Sequence, residues 1–387
     1  MFTLPIRTIT FGVAEPHPLP GGLVEEMAAV ARRVETACRD AGYLVQTTRL
    51  STRPVFDDLA GWTAPEIVGY GRDLQGMLDR VGIGFCALGP AMAARPGFPL
   101  DRLDAIADLL VGAEALNCTV QLATTELGIR VCAAGPVARI MRRLAHETDQ
   151  GLGNFRFAML ACVDPGGPFF PAAYHHGPAS ISVGLQGAGI VAEALGAIDG
   201  LDLAAITDRV RQALITHAAP VAHLLERLAA ESGLRFGGID LSPAPAGEDS
   251  IAAAMERCGA GGVGGYGTLS LGAAITAGLC GTGLLTCGYN GLMLPVLEDA
   301  TLARRWQERL VTGQQLLAYS AVCGTGLDTV PLPGDVSDDE IARLLLDVAT
   351  LAVRLEKPLS ARLFPVPGKR VGECTTFTSP YLVNTCI

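Results

Sequence analysis

The chain has 387 residues, of which 49% are hydrophobic and 18% are charged, and its formal net charge is −10. This length and apolar content allow a large packed core. The acidic balance and the lack of a basic stripe argue against nucleic acid and against anionic membrane surfaces as partners. We therefore expect an α/β protein that forms a single domain over residues 1–387 and binds a small molecule.

The cysteines indicate a reducing compartment. Eleven are spread irregularly and none forms a C-x-x-C pair, which argues against a zinc ribbon. The first residues contain Arg7 and no apolar run typical of a signal peptide, so we predict a cytoplasmic protein with mostly free, buried thiols. The charge-free segments 165–192 and 258–297 are broken by glycine and proline, and we interpret them as buried structure and not as membrane spans.

Strand and helix patterns alternate along most of the chain. Strands are predicted over 5–12, 43–50, 83–88, 118–123, 155–163, 180–185, 234–241, 281–287 and 360–366. Helices are predicted over 21–41, 63–80, 100–115, 136–147, 202–231 and 338–355. This alternation predicts a parallel sheet with helices outside it. Polar residues follow many strands, which favours a closed β/α barrel of about ten strands whose C-terminal strand ends meet at one opening.

The segment 319–335 places a thiol and a carboxylate close together. Gly324 and Gly326 bracket a tight turn, with Cys323 before it and Asp328 after it. A catalytic cysteine needs a lowered pKa or a nearby base, so we predict that Cys323 and Asp328 act in catalysis. The alternative is a buried, inert cysteine beside a turn.

A long loop at 164–177 is rich in proline, glycine and aromatic residues and carries His175 and His176. Loops of this kind often form ligand walls. We predict that His175 is a proton shuttle. It would otherwise be a metal ligand together with Asp240, Asp249 or Glu298, or a residue of no special role in a polar loop.

A second polar group follows the strand at 234–241. Asp240 lies at the strand end and is predicted as a catalytic carboxylate, while Ser242, Asp249 and Ser250 are predicted to bind substrate. Asp249 or Ser250 could instead cap the next helix.

Other candidates for substrate binding are basic or lie in turns. Arg7 interrupts an apolar strand, and Lys369 follows a P-V-P-G turn, so either side chain can pair with a substrate carboxylate. Tyr289 and Asn290 lie in a G-Y-N-G turn and are predicted to bind substrate. The G-x-G-x-x-G at 262–267 does not follow a strand, so we predict no dinucleotide cofactor, while a divalent metal stays possible.

Several motifs, in the same order along nearly the whole chain, resemble the PFL family of prokaryotic proteins, which carry domain of unknown function 711. They include R-T-I-T-F-G, G-P-F-F-P-A-A-Y-H-H-G, C-G-T-G-L-D-T-V-P-L-P-G-D and R-L-F-P-V-P-G-K. The resemblance implies a ten-stranded β/α barrel like that of glycyl radical enzymes such as pyruvate formate-lyase, with Cys323 on a central loop, and a homo-oligomer. The R-V-x-G-aromatic motif of those enzymes does not occur here, so the resemblance does not imply radical chemistry.

Together these features predict an enzyme that acts on a small carboxylate or oxo acid by polar, non-radical chemistry of the lyase or acyl-transfer type. A metal-dependent lyase or hydrolase is one alternative. A barrel that binds a metabolite for regulation, without chemistry, is the other.

Overall fold

The computed structural model describes residues 5–196, 198, 200–258 and 261–387, and all statements on structure refer to these. They form one large mixed sheet of 11 strands with helices around it, so the predicted α/β class is confirmed. The strands are β1 Pro5–Gly12, β2 Leu44–Val45, β3 Thr48–Ser51, β4 Cys86–Ala91, β5 Leu116–Thr124, β6 Gly128–Ile129, β7 Phe157–Ala161, β8 Ser180–Leu185, β9 Arg235–Asp240, β10 Gly326–Pro333 and β11 Leu359–Val366.

The α-helices vary from one turn to eight. They are α1 Gly21–Asp40, α2 Val55–Asp58, α3 Ala64–Val81, α4 Asp104–Gly112, α5 Ala134–Glu147, α6 Ala188–Leu195, α7 Leu203–Glu231, α8 Ile251–Glu256, α9 Thr268–Cys280, α10 Ala300–Gln307, α11 Gly313–Tyr319 and α12 Asp338–Leu355. Short 3₁₀ segments cover Leu100–Leu103, Val131–Ala133 and Asp149–Arg156. None of the helices in the described part of the chain has the length and apolarity needed to span a membrane.

Local sequence explains why these elements form, as α12 illustrates. Ser337 and Glu340 form a reciprocal capping box at its start, and three acidic residues occupy the first turn, where the helix dipole favours negative charge. Ile341, Leu345 and Val348 recur on one buried face. The strands are covered on both sides, since all eight residues of β11 and eight of the nine in β5 are buried or nearly so.

The sheet is mixed, which corrects the expectation of a parallel sheet. The strand order is β10-β11-β7-β5-β4-β3-β1-β8-β9, with β2 and β6 attached at the side. Strands β1, β3, β4, β5 and β7 run one way, whereas β8 and β9, and also β10 and β11, run the other way. The strand direction reverses between β7 and β8, which follow one another in sequence. Residues 162–179 connect them as a loop without the crossover helix that would return the chain in the same direction.

The two end strands of the sheet, β9 and β10, are not hydrogen-bonded to each other. Each makes one isolated bridge to the same segment of chain, Ile239 to Thr286 and Pro295 to Asp328. The predicted strand at 281–287 is wrong, because this segment is a series of turns with only that bridge at Thr286. Strand β10 was not predicted, since Pro331 and Pro333 argue against a strand interior. Proline is tolerated at the end of a sheet, where no partner needs its missing N–H.

The C-terminal residues 367–387 contain neither helix nor strand and pack over the sheet. Phe377 and Leu382 are buried against Phe364 of β11. A disulfide joins Cys374 to Cys386, and the other nine cysteines are free, in line with the expectation that most thiols are unpaired.

Candidate functional site

A central cavity of about 320 Å³ lies against the sheet and is the best candidate for a functional site. Its charged and polar wall residues are Arg7, Gln46, Thr47, Arg49, Asn117, Tyr289, Glu298, Thr325, Asp328, Ser360, Arg362 and Tyr381. The rest of the wall is mainly aromatic and small apolar side chains. Among the described residues, the wall contains neither cysteine nor histidine.

The strand residues on the wall come from strands of both directions. They are Arg7, Arg49, Asn117, Ala158, Asp328, Ser360 and Arg362. Each lies in the first half of its strand. This differs from the predicted opening at the C-terminal strand ends, because in a mixed sheet those ends point in opposite directions and do not meet at one opening.

Arg362 of β11 forms the centre of a buried ion network on this wall. Its Nε donates to Oδ1 of Asp328 at 2.6 Å, and its Nη2 donates to Oε1 of Glu298 at 2.5 Å. All three side chains are at most 13% exposed. The guanidinium also lies 4.8 Å from the centroid of the Phe155 ring. The two carboxylates hold the pKa of Arg362 above its usual value, so this arginine is always charged.

Glu298 connects this network to Arg7. Oε2 of Glu298 lies 3.5 Å from Nη2 of Arg7, which also donates from Nη1 to Gln46 at 3.3 Å. Burial and the nearby Asp328 raise the pKa of Glu298, although Arg362 and Arg7 act against this. A buried carboxyl with a raised pKa is suited to exchange a proton with a ligand.

Arg49 of β3 is the cation on the wall without a carboxylate partner among the described residues. Its Nε donates to Oγ1 of Thr47 at 3.0 Å. Its guanidinium lies 5.0 Å from the ring centroids of both Phe85 and Phe170, so it makes cation–π contacts with two aromatic rings. Burial and Arg7 lower the pKa of Arg49 to about 9, which leaves it charged at neutral pH. Three guanidiniums therefore face two carboxylates, and the wall has a surplus of positive charge.

Tyr289 lines the wall, but its hydroxyl oxygen is buried away from the open space and has no hydrogen-bond partner within the described residues. The Ser360 hydroxyl is a polar neighbour, but no hydrogen bond of adequate geometry joins the two, and Ser360 donates to the carbonyl of Thr325 at 2.8 Å. Burial raises the pKa of Tyr289, so its hydroxyl keeps its proton.

Arg7, Asp328 and Tyr289 are thus the residues that were predicted for the site and lie on the cavity wall. Asp240 does not, and borders a second cavity of about 40 Å³ beside it. Its buried carboxylate accepts from the backbone N–H groups of Ser242 at 2.9 Å, Tyr289 at 2.8 Å and Asn290 at 3.1 Å. Burial raises the pKa of Asp240.

Asp240, Ser242 and Asn290 together fix the turn that carries Tyr289. The Asn290 side chain accepts from the N–H of Leu241 at 3.0 Å, and Ser242 Oγ accepts from the N–H of Gly291 at 3.1 Å. Residue 288 must be glycine here, because its φ is 76° and a Cβ would overlap the Asp240 carboxylate. These three predicted residues therefore hold Tyr289 in position and do not line the central cavity themselves.

Cys323 and His175 lie outside the cavity wall. Cys323 is 4% exposed, its sulfur packs against Gly272, and burial raises the pKa of the thiol to about 12. A lowered pKa, which the predicted nucleophile needs, is therefore not found. His175 Nε2 lies 3.0 Å from the carbonyl of Pro178, and its ring packs so closely on Gly12 that no side chain fits there. Burial lowers the pKa of His175. No hydrogen bond in the described part of the chain links these two residues to each other or to Asp240.

The remaining predicted residues also lie away from the wall. Ser250 donates to Asp299 at 2.6 Å and accepts from the N–H of Ala253. It therefore caps α8, which was the alternative to its predicted role in substrate binding. Asp249 accepts from Gln186 at 2.6 Å. Lys369 follows β11 in a turn and makes no side-chain hydrogen bond to the described residues.

Sequence reasoning missed Arg49 and Arg362, and it gave Glu298 only as a possible metal ligand. Arg362 interrupts an apolar strand, which is the signal that identified Arg7, so the same argument would have found it; Arg49 lies in the polar stretch 46–53, where that signal is absent. No group of three or more His, Cys, Asp and Glu residues is placed to hold a metal ion within the ranges the structure describes.

Similar proteins match almost the full length of the chain. The family model described as "Uncharacterised ACR (DUF711)" matches residues 2–378, a range that contains every wall residue of the central cavity except Tyr381. A UPF0210 protein of Pyrobaculum arsenaticum is 31% identical over 396 residues, which cover 96% of this chain and 87% of that relative. A UPF0210 protein of Carboxydothermus hydrogenoformans is 29% identical, with 97% and 88% covered. A UPF0210 protein of Pyrobaculum aerophilum is 32% identical, with 88% and 78% covered.

Proposed function

The chain belongs to the family described as Uncharacterised ACR (DUF711), and we propose that it is an enzyme that binds a small carboxylate or oxo acid in the central cavity. The proposed chemistry is polar and of the lyase type, without a radical. It starts with the transfer of a proton between the ligand and a carboxyl group of the wall.

The observation that carries this proposal is the unpaired charge of Arg49. A buried or half-buried cation is costly unless an anion or water compensates it. Phe85 and Phe170 pack against the guanidinium, whose hydrogen-bond donors lie along the edge in its own plane. Carboxylates fit this edge through paired hydrogen bonds. An anionic ligand would complete the charge balance of the wall.

Glu298 is the proposed proton-transfer group. Burial raises the pKa of Glu298, which favours proton exchange with a ligand, and Arg362 keeps the carboxyl group in one orientation. Arg7 and Arg49 would stabilise negative charge that develops on a ligand oxygen when a C–H proton leaves. This assigns to Glu298 and Asp328 the role that the sequence suggested for Cys323, because the Cys323 thiol is not on the wall.

A regulatory protein that binds a metabolite without chemistry is the second candidate. It is favoured by the wall itself, which within the described residues offers no cysteine or histidine for nucleophilic or shuttle roles. Both candidate functions predict that the cavity binds a ligand, but only the enzyme is expected to convert it.

We further propose that the sheet acts as a closed barrel of the kind implied by the resemblance to glycyl radical enzymes. The bridges from β9 to Thr286 and from Pro295 to β10 support this, because one segment reaches both ends of the sheet. A cytoplasmic homo-oligomer without nucleic-acid or membrane partners is the proposed working form, in line with the net charge of −10.

The test combines binding and exchange. Thermal unfolding is measured with a set of C3 to C6 carboxylates and oxo acids and with their uncharged amides, and only the acids are expected to raise the midpoint. The protein and each stabilising oxo acid are then followed by proton NMR in D₂O, where Glu298→Gln should abolish deuterium uptake beside the carbonyl. Equal stabilisation by acids and amides would refute the proposed site. Binding without exchange would leave the regulatory candidate.

A further inference from the structure

We propose that the C-terminal loop closed by the disulfide between Cys374 and Cys386 is a redox-sensitive part of the ligand site. The closed disulfide holds Tyr381 on the wall of the central cavity, and its reduction weakens ligand binding. This inference rests on the proposed function, because it concerns the regulation of the same site. It assigns Tyr381 as a ligand-binding residue and the two cysteines as positioning residues.

Tyr381 lies between the cavity and the solvent. It belongs to the cavity wall, and yet it is 50% exposed. Its ring stacks on the ring of Phe155, with centroids 6.1 Å apart and planes inclined by 16°, and Phe155 in turn contacts the guanidinium of Arg362. The phenol is also near enough to Arg49 that its ionised form would raise the pKa of that arginine. Tyr381 therefore bounds the cavity close to the proposed anion site.

The tip of the loop is tied mainly to itself. The N–H of Leu382 donates to the carbonyl of Ser379 at 3.2 Å, and the N–H of Tyr381 donates to the Ser379 side chain at 3.3 Å, so residues 379–382 form a turn. Neither bond joins this turn to another part of the protein. The position of Tyr381 therefore depends on how the flanking residues of the loop are held.

The flanking residues are held by the disulfide and by the segment that carries Glu298. The two cysteines are 12 positions apart, and the N–H of Val383 donates to the carbonyl of Leu297 at 2.7 Å, directly before Glu298. A cross-link removes conformations from the undocked loop and so favours the docked one. Without it, the remaining contacts keep Tyr381 on the wall for a smaller fraction of the time.

The disulfide is accessible to reductants, since Cys374 is exposed and Cys386 is partly exposed. A dithiol reduces it in a balanced exchange: a thiolate of the dithiol attacks and opens the S–S bond, and the dithiol is oxidised to a cyclic disulfide. The two cysteines each gain one electron and one proton. In the cytoplasm, the compartment proposed for this chain, disulfides are mostly redox-responsive and rarely structural.

The experiment is calorimetric titration of oxidised and reduced wild-type protein with 4-methyl-2-oxopentanoate, an oxo acid of the set tested above. Dithiothreitol reduces the protein and is removed under nitrogen. A thiol count in denaturant verifies the two forms, with nine thiols expected before reduction and eleven after it. We expect the reduced form to bind the oxo acid roughly threefold or more weakly, in proportion to the smaller docked fraction.

Tyr381→Ala tests whether the disulfide acts through this tyrosine. The variant should bind the oxo acid more weakly in both forms, and reduction should then have no further effect. Cys374→Ser/Cys386→Ser should bind like reduced wild-type protein, whether or not dithiothreitol is added. Cys132→Ser, at an exposed free thiol, is the matched control and should respond to reduction like wild-type protein.

Each outcome separates the two claims. Equal affinity of the oxidised and reduced forms, or a response to reduction that persists in Tyr381→Ala, overturns this inference and leaves the anion site in place. Eleven thiols in protein treated with oxidised glutathione would also overturn it, because the disulfide would not form. If oxidised wild-type protein does not bind the oxo acid, the inference and the proposed site both fail. The comparison of the two wild-type forms involves no substitution, so it is decisive even if a variant does not fold.

Discussion

Arg362 and Asp328 join the last two strands of the sheet by an ion pair of 2.6 Å between Nε and Oδ1. The register of β10 and β11 shifts between Leu327 and Val330, so β10 has a bulge at Asp328 and Thr329. The same two residues accept from the chain near Glu298, through the N–H of Val296 at 3.1 Å and the N–H of Leu297 at 3.2 Å. The bulge therefore brings both carboxylates to one arginine.

Removal of this arginine should destabilise the protein strongly. Arg362→Met keeps the length of the side chain but leaves Asp328 and Glu298 without their shared partner. The expected loss is roughly 3–5 kcal/mol in the free energy of unfolding, as for other broken buried ion pairs. Urea denaturation followed by circular dichroism measures it. Arg354→Met, on the exposed side of α12, should change stability by less than about 0.5 kcal/mol. Equal stability of the two variants would show that the network is not structural.

Cys323 should be dispensable for ligand binding and for exchange. Cys323→Ala is expected to retain the ligand affinity of wild-type protein, because the thiol is outside the cavity wall and burial raises its pKa to about 12. In native protein at pH 8, iodoacetamide should label the exposed Cys132 and Cys280 before Cys323. Peptide mass spectrometry follows the order of labelling. Preferential labelling of Cys323, together with loss of exchange in Cys323→Ala, would restore it as the nucleophile.

His17 should make stability depend on pH below neutrality. Its two ring nitrogens each share a hydrogen bond of 2.7 Å, with Tyr70 and with Thr52, and burial lowers its pKa to about 4. The unfolded chain binds this proton with a pKa of about 6.5, so the unfolded state is favoured as pH falls from 6.5 to 4. The contribution is fully present above pH 6.5, and its loss by pH 4 amounts to roughly 3 kcal/mol.

The contribution of His17 to the pH dependence of stability is obtained by comparing wild-type protein with a variant that lacks this histidine. Urea denaturation of wild-type protein and of His17→Gln is measured at several values between pH 7 and pH 4. Other buried groups, such as Asp240 and Glu298, titrate in both proteins and cancel. Wild-type protein should lose more stability than the variant over this interval, and parallel curves would contradict the assignment.

The sequence was sufficient for elements with a clear local pattern. Strands Pro5–Gly12 and Ser180–Leu185 and helix Asp338–Leu355 have the bounds predicted for them. The relation to proteins with domain of unknown function 711 is also confirmed, because the motifs that suggested it extend along the chain. Strand β10 was missed because its two prolines argue against a strand more strongly than its few apolar residues argue for one.

The site was harder to predict because its contacts are distant in sequence. Glu298 and Arg362 are 64 positions apart, and neither residue indicates its partner. Cys323 drew attention by its neighbours in sequence, whereas in space its sulfur lies beside Gly272 and is buried, so that its pKa is raised. Asp240 was correctly placed at a strand end, but its oxygens are used by backbone N–H groups, which no sequence pattern shows.

The most direct test of the central claim is calorimetric titration of wild-type protein, Arg49→Gln and Arg354→Gln with the most stabilising acid from the thermal screen. Both variants lose one positive charge, but only Arg49 faces the cavity. Because a charged hydrogen-bond partner contributes about 1.5–3 kcal/mol, we predict that Arg49→Gln binds roughly ten- to a hundredfold more weakly and that Arg354→Gln binds like wild-type protein. Equal affinity of Arg49→Gln and wild-type protein would contradict an anion site in this cavity.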